Sequence, residues 1–245
     1  DDGKTANSAY GARIFKPHDR IAGPVKHDWT QWNYVVEELK SDPDSRRAVI
    51  HIRSPHDSIL ANLDVPCTLS LQFFLRNDNV HMVVSMRSSD VILGLAYDVP
   101  AFTIFQELLA VQLTQELGRP IGLGTYTQLS ASLHVYERHF KMVEKILDED
   151  KKQDYRDVLC MPPMPSMPPL RSLAAAEMDI RRSTSLGLGG VINQLLSDPA
   201  IRNDYWVDWC KVFASHRAIK LNAHITGKNL LESTSFEGYR YFAKP

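Results

Sequence analysis

The sequence predicts a mixed α/β fold of the α+β type: a β-sheet flanked by long helices and continued by a helical C-terminal extension. Three observations carry that expectation. Residues 69–89, LSLQFFLRNDNVHMVVSMRSS, alternate apolar and polar positions on either side of Asn77-Asp78-Asn79, the pattern of two strands joined by a tight turn. Residues 99–118, VPAFTIFQELLAVQLTQELG, place apolar side chains at helical spacing and stop at a glycine. After residue 150 the strand signals cease. The Pro- and Met-rich run 160–170, CMPPMPSMPPL, excludes regular helix, and helix-forming segments follow around 171–182 and 189–219.

The remaining elements fit around these. Residues 1–27 mix glycine, proline and turn formers and give a weak pattern. DWTQWNYVVEELKSD, residues 28–42, predicts a helix with Asp28 as N-cap and Trp32, Val35, Val36 and Leu39 on one face. DPDS breaks it, and RRAVIHIRS reads as a strand. GTYTQLSAS reads as another strand, and LHVYERHFKMVEKIL as a second long helix. The organisation expected is a core over 1–150, a linker over 151–170 and a helical extension over 171–245, with no internal repeat.

Composition narrows the function classes. The chain has 245 residues, 44% hydrophobic and 23% charged, enough for one large domain or a domain with an appendage. A net charge of −1 lacks the basic excess of a non-specific nucleic-acid binder, so no nucleic-acid partner is expected. No apolar run approaches the ~18 residues of a membrane span. Three scattered cysteines, Cys67, Cys160 and Cys210, make neither a disulfide framework nor a CxxC metal site; a reducing, cytoplasmic setting follows.

Chemistry concentrates in a few stretches. Cys67 follows a proline at the mouth of an apolar strand, where it reads either as a buried small hydrophobe or as a nucleophile. MRSSDVILGLAYDVPAF, residues 86–102, packs Arg87, Ser88, Asp90, Gly94 and Asp98 into one connection. Arg87 and Ser88 offer a donor fork and a hydroxyl that suit a phosphate, or form a solvated strand end. Asp98, two residues before Pro100, has the position of a helix N-cap. Arg46 and Arg47 are adjacent on a strand, so both reach one anion only where the backbone bends. His134 and His139, five apart, do not share a helix face, so no metal is expected there; His134 and Tyr136 suit a hydroxyl.

Taken in order, NSAYG (7–11), SDPDSRR (41–47), Pro66-Cys67, RSSDVILG (87–94), Tyr97-Asp98 and SLHVYERH (132–139) resemble the thymidylate synthases and their relatives, the pyrimidine nucleotide hydroxymethylases. The resemblance spans residues 7–147. It implies the fold of that family, and it implies that Cys67 is the thiolate adding to C6 of a pyrimidine, whose C5 then takes a one-carbon unit from 5,10-methylenetetrahydrofolate. By the same resemblance Arg87 and Ser88 belong to the phosphate site, with Arg87 beside the thiol. Arg46 and Arg47 match a pair reaching the site of a neighbouring subunit, which implies a homodimer with shared sites. His134 and Tyr136 match the pair on the sugar hydroxyl, Asp90 and Gly94 the folate-contacting part, and Tyr10 an active-site tyrosine.

One departure points to the substrate. Where synthases carry an asparagine that pairs with uracil, this chain has Asp98, as the phage deoxycytidylate hydroxymethylases do. A carboxyl group accepts from the N4 amino group of cytosine and, with a shared proton, serves N3. Thr68 for histidine and Ala96 for proline point the same way. The expectation is therefore C5-hydroxymethylation of dCMP, with CMP as the other sugar form. Methylation of a pyrimidine nucleotide and nucleotide binding without chemistry are the alternatives. The family also has a segment before the tyrosine motif carrying an arginine and a proton-transferring glutamate. No counterpart is found, so part of the family fold is expected to lie outside this sequence.

Overall fold

The hairpin over residues 69–89 sets the frame. In a computed structural model, which describes residues 8–17, 29–58, 63–150, 161–184, 187–201, 203–241 and 243, β2 (Thr68–Arg76) and β3 (Asn79–Met86) pair antiparallel around Asn77 and Asp78. Both turn residues have positive φ, 50° and 57°, which Asn and Asp tolerate and which matches the twist of the flanking strands. β1 (Val49–His51) adds antiparallel to β2. It is three residues long, so most of the expected strand RRAVIHIRS is not strand: the backbone bends at Arg46, and the Arg47 carbonyl takes the Val49 N–H at 2.8 Å.

β5 (Gly122–Ser130) joins β3 in parallel, giving the sheet order β1-β2-β3-β5. A parallel neighbour needs a crossover, supplied by α3 (Gly94–Leu117). This helix begins five residues before the expected start and holds Pro100 in its interior. Proline has no N–H for the Ala96 carbonyl, yet packing retains the helix. It ends at Gly118, whose φ of 64° glycine adopts without a β-carbon penalty. Asp98 is therefore in the second turn and is no N-cap. That task falls to Asp90, whose Oδ2 accepts the N–H groups of Leu93 (2.7 Å) and Gly94 (3.4 Å).

One face of the hairpin is the core: Leu71, Phe73, Leu75, Val80, Met82, Val84 and Met86 are all buried. Each contributes about 1.5–3 kcal/mol by leaving water. α2 (Gln31–Ser41) covers this core with Trp32, Val35, Val36 and Leu39, as its periodicity predicts. Its cap is Thr30 rather than Asp28, which lies outside the described residues. The Thr30 hydroxyl accepts from Asn33 N–H, and the Asn33 side chain accepts from Thr30 N–H. α1 (Tyr10–Phe15) anchors through Arg13, whose guanidinium makes a two-pronged pair with buried Asp57 at 2.6 and 2.7 Å.

A second, two-residue parallel sheet joins β4 (Ser89–Asp90) to β6 (Leu133–His134). The expected helix over 133–147 is thus a strand, then a 3₁₀ turn (Glu137–His139), then α4 (Phe140–Asp150). These elements form one compact unit, Asp1–Gln153. The other, Asp154–Pro245, is helical among its described residues: α5 (Leu170–Arg182), α6 (Leu188–Ser197), α7 (Asp204–Lys220), α8 (His224–Glu232) and α9 (Glu237–Tyr241). The expected helix 189–219 is broken at Asp198-Pro199, because proline cannot continue the ladder.

Candidate active site

Cys67 is half-buried immediately before β2. Its loop is fixed by Arg87, which follows the antiparallel neighbour β3. Arg87 Nε donates to the Pro66 carbonyl and Nη2 to the Val65 carbonyl, both at 3.0 Å, and its N–H donates to the Cys67 carbonyl at 2.9 Å. Nη1 has no hydrogen bond among the described residues and remains a donor. Just beyond the cysteine the register shifts between Thr68 and Ser70, a bulge of the kind that re-aims side chains beside active sites.

Tyr10, at the start of α1, reaches the same corner. Its hydroxyl oxygen accepts from Thr68 Oγ1 (3.0 Å) and Thr68 N–H (3.4 Å), and its ring stacks on buried Phe102 with centroids 6.0 Å apart. Burial pushes its pKa up, and the charges of Asp98 and Cys67 act in the same direction. Three elements thus converge around one thiol.

The β4–β6 pairing brings the other predicted residues together. Ser89 N–H donates to the Ser132 carbonyl and Val91 N–H to the His134 carbonyl, both at 2.9 Å, setting Ser88 Oγ 3.4 Å from His134 Nδ1. Tyr136 meets the His134 ring edge-on at 4.9 Å, and the Arg138 guanidinium lies over the Tyr136 ring at 4.6 Å. Asp90 is held below the usual carboxylate range, first by the Leu93 N–H. Its Oδ1 is buried without a hydrogen-bond partner among the described residues.

Gly94 packs against this corner: a β-carbon there would lie 3.5 Å from Ser89 Oγ and 3.8 Å from Asp98 Oδ2. Asp98 is half-buried, burial raises its pKa, and its carboxyl has no hydrogen bond among the described residues. A carboxyl that neither caps a helix nor pairs with a cation is free to read a ligand.

Sequence reasoning missed two residues of the same corner, Tyr126 and Gln128. In the parallel register Tyr126 stands beside Met82, Gln128 beside Val84 and Ser130 beside Met86, so β5 presents polar groups level with the buried hairpin face. Its leucines point the other way; Leu123 is 54% and Leu129 56% exposed. Tyr126 donates to Gln128 Oε1 at 2.6 Å, and Gln128 Nε2 reaches Ser89 Oγ at 3.4 Å. Burial and the Asp98 charge push the Tyr126 hydroxyl up to about 12. The available signal was the Tyr-x-Gln-x-Ser alternation itself.

Arg46 and Arg47 do not join this group. Both are exposed; Arg47 pairs with Glu38 at 2.7 Å, and Gln72 holds the Arg46 carbonyl at 2.9 Å. Among the described residues no cluster of three or more His, Cys, Asp or Glu could hold a metal, and no helix is long and apolar enough to cross a membrane.

Comparison with known proteins finds relatives for the first part of the chain. The family profile described as Thymidylate synthase matches residues 1–160. The thymidylate synthase of Bacillus subtilis subsp. natto is 31% identical over 140 residues, which cover 57% of this chain and 46% of that protein. The thymidylate synthase of Bacillus atrophaeus is also 31% identical over 140 residues, 56% of its length. A provisionally named thymidylate synthase of Methanocaldococcus jannaschii is 32% identical over 155 residues, 59% of this chain and 67% of that protein. The chain thus spans about half the length of the two Bacillus proteins. Among solved structures, thermostable thymidylate synthase A from Bacillus subtilis is 25% identical and covers 59% of this chain and 49% of its own, with a TM-score of 0.47.

Proposed function

The chain belongs to the thymidylate synthase family, and on that premise we propose that it transfers a one-carbon unit from 5,10-methylenetetrahydrofolate to C5 of a cytidine nucleotide monophosphate, leaving a hydroxymethyl group. dCMP is the favoured substrate and CMP the other. The observation that carries the cytidine reading is Asp98. Released from capping α3, it offers a half-buried carboxyl without a partner among the described residues, and burial favours the proton that pairing with N3 of cytosine needs.

The steps follow from the residues. Cys67 Sγ bonds to C6 and the ring electrons move toward C5. C5 bonds to the methylene carbon and then releases its proton. Tetrahydrofolate leaves, generating an exocyclic methylene; water adds there as the Cys67 bond breaks. Arg87 holds the Cys67 loop through three hydrogen bonds and directs Nη1, with Ser88, at the phosphate. His134 and Tyr136 take the sugar hydroxyl. Asp90 and Gly94, at the start of α3, take the folate. The enzyme acts without a metal, in the cytoplasm.

The family also supports a second product: hydride transfer from tetrahydrofolate, which is oxidised to dihydrofolate, in place of water addition turns the methylene into a methyl group as the Cys67 bond breaks. Incubating the protein with 5,10-methylenetetrahydrofolate and equal dCMP, CMP and dUMP, beside a Cys67→Ala control, separates the readings by mass spectrometry. Gain of CH2O on a cytosine nucleotide, absent from the control, is expected. Gain of CH2 instead overturns the hydroxymethylase reading.

We further propose a homodimer in which Arg46 and Arg47 serve the neighbouring site, a reading supported by their exposure. Mixing Cys67→Ala chains with Arg46→Ala/Arg47→Ala chains is expected to restore activity. No recovery after demonstrated subunit exchange counts against shared sites.

A further inference from the structure

The two tyrosines beside Asp98 are wired in opposite senses. Tyr10 accepts twice from Thr68, through Oγ1 and N–H, so its own proton is free to donate. Tyr126 donates to Gln128 Oε1, an atom that can only accept, so its proton is engaged and its oxygen keeps lone pairs with which to accept. In this arrangement Gln128 Oε1 takes the Tyr126 proton while Gln128 Nε2 reaches Ser89 Oγ and Ser130 Oγ, each at 3.4 Å. Contacts run without a break from Tyr126 through Gln128 to Ser89, and a β-carbon on Gly94 would touch both Ser89 Oγ and Asp98 Oδ2.

We infer that Tyr126, held by Gln128, is a specificity residue that accepts a hydrogen bond from the exocyclic amino group of the base. The assignment rests on the cytidine reading above and adds to it. Asp98 favours cytosine through the amino group its carboxyl accepts, and a second acceptor at the same edge sharpens that choice. A phenol oxygen whose proton is already committed meets an amino group and repels a carbonyl, because two acceptors would then face each other in a half-buried corner. The inverted pattern of β5, with Leu123 and Leu129 outward and Tyr126, Gln128 and Ser130 inward, places these groups against the core at the cost of exposing leucines.

The test measures equilibrium binding of dCMP and dUMP to the full chain and to Tyr126→Phe, Gln128→Leu and Gln128→Glu. Tyr126→Phe removes the acceptor, so dCMP binding should weaken about tenfold while dUMP binding holds. Gln128→Leu frees the phenol proton to point at a carbonyl, so the dCMP preference should fall roughly tenfold with dUMP gaining. Gln128→Glu still accepts that proton and should keep the preference. The readout is a ratio of affinities, which loss of stability alone does not move. If wild type prefers dCMP and both Tyr126→Phe and Gln128→Leu keep its ratio within about twofold, this assignment is overturned while the cytidine reading stands. If wild type binds dUMP as well as dCMP, the cytidine reading falls and the assignment falls with it.

Discussion

The two units use their polar side chains for opposite ends. In the helical unit they tie down backbone. Buried Asp208 accepts from the N–H groups of Ser235 and Phe236 at 2.9 and 2.8 Å. Ser215 donates to the Gly227 carbonyl, and Arg217 holds the Ser183 carbonyl. In the Cys67 unit, Asp98 keeps a carboxyl without a hydrogen bond among the described residues, and its charge acts with burial to raise both Tyr10 and Tyr126. The cysteines show the same division. Cys210 is buried in α7, where burial pushes its thiol up to about 11, while Cys67 stands half-buried at a strand mouth. The polar groups named in the helical unit are used up on backbone, whereas the Asp98 carboxyl has no such partner among the described residues.

The sharpest way to break this contrast is to exchange the cysteines for alanine. Cys67→Ala should abolish turnover, a loss of at least about a thousandfold. Cys210→Ala should leave turnover within a few-fold and lower thermal stability by about 1 kcal/mol. Equal losses in the two variants would erase the distinction.

Next in size is the Arg13–Asp57 pair, a scaffold contact within the Cys67 unit. Asp57→Ala leaves Arg13 uncompensated and should cost about 3 kcal/mol in urea unfolding. The pair also gives that unit a pH signature. The Arg13 guanidinium holds Asp57 at about 2, below its ordinary 3.8, so the stabilisation is complete above 3.8 and fades as pH falls from there toward 2. An acid melt in which Asp57→Ala tracks wild type over that window, without a constant offset above it, would contradict the account.

In the helical unit, Asp208→Ala strips two N–H groups of their acceptor and should cost about 2 kcal/mol, leaving nucleotide affinity unchanged. A drop in nucleotide affinity would mean that this unit is more than scaffold. Smallest is Gly118→Ala, which forces a β-carbon into a φ of 64° and should cost about 1 kcal/mol in the same unfolding assay.

What could be read from sequence was what short-range physics encodes. Asn77 and Asp78 announce a hairpin because their own side chains favour positive φ, and Trp32, Val35, Val36 and Leu39 announce a helix by their spacing alone. The start of α3 could not be read, because Pro100 imitates a first-turn proline while the actual cap, Asp90, acts from across the β4 turn. His134 was placed on a helix because a two-residue strand is too short to carry a period. The sequence reading took Asp28 as the cap of α2 and passed over Thr30, whose reciprocal bond with Asn33 shows only in the structure. Of the site, Cys67, Arg87, Ser88, His134 and Asp98 could be named as candidates in advance. Tyr126 and Gln128 could not, because leucine on alternate positions argues for the opposite inward face, and only pairing with β3 decides it.

The smallest sheet has the widest consequence. Ser88, Ser89, Asp90 and His134 are positioned by a clasp of main-chain hydrogen bonds, Ser89 to Ser132 and Val91 to His134, that involves no side chain. The pairing itself therefore tolerates a change of side chain at Ser88 or His134, whereas Asp90, whose carboxyl also caps α3, is held to its identity by a second task.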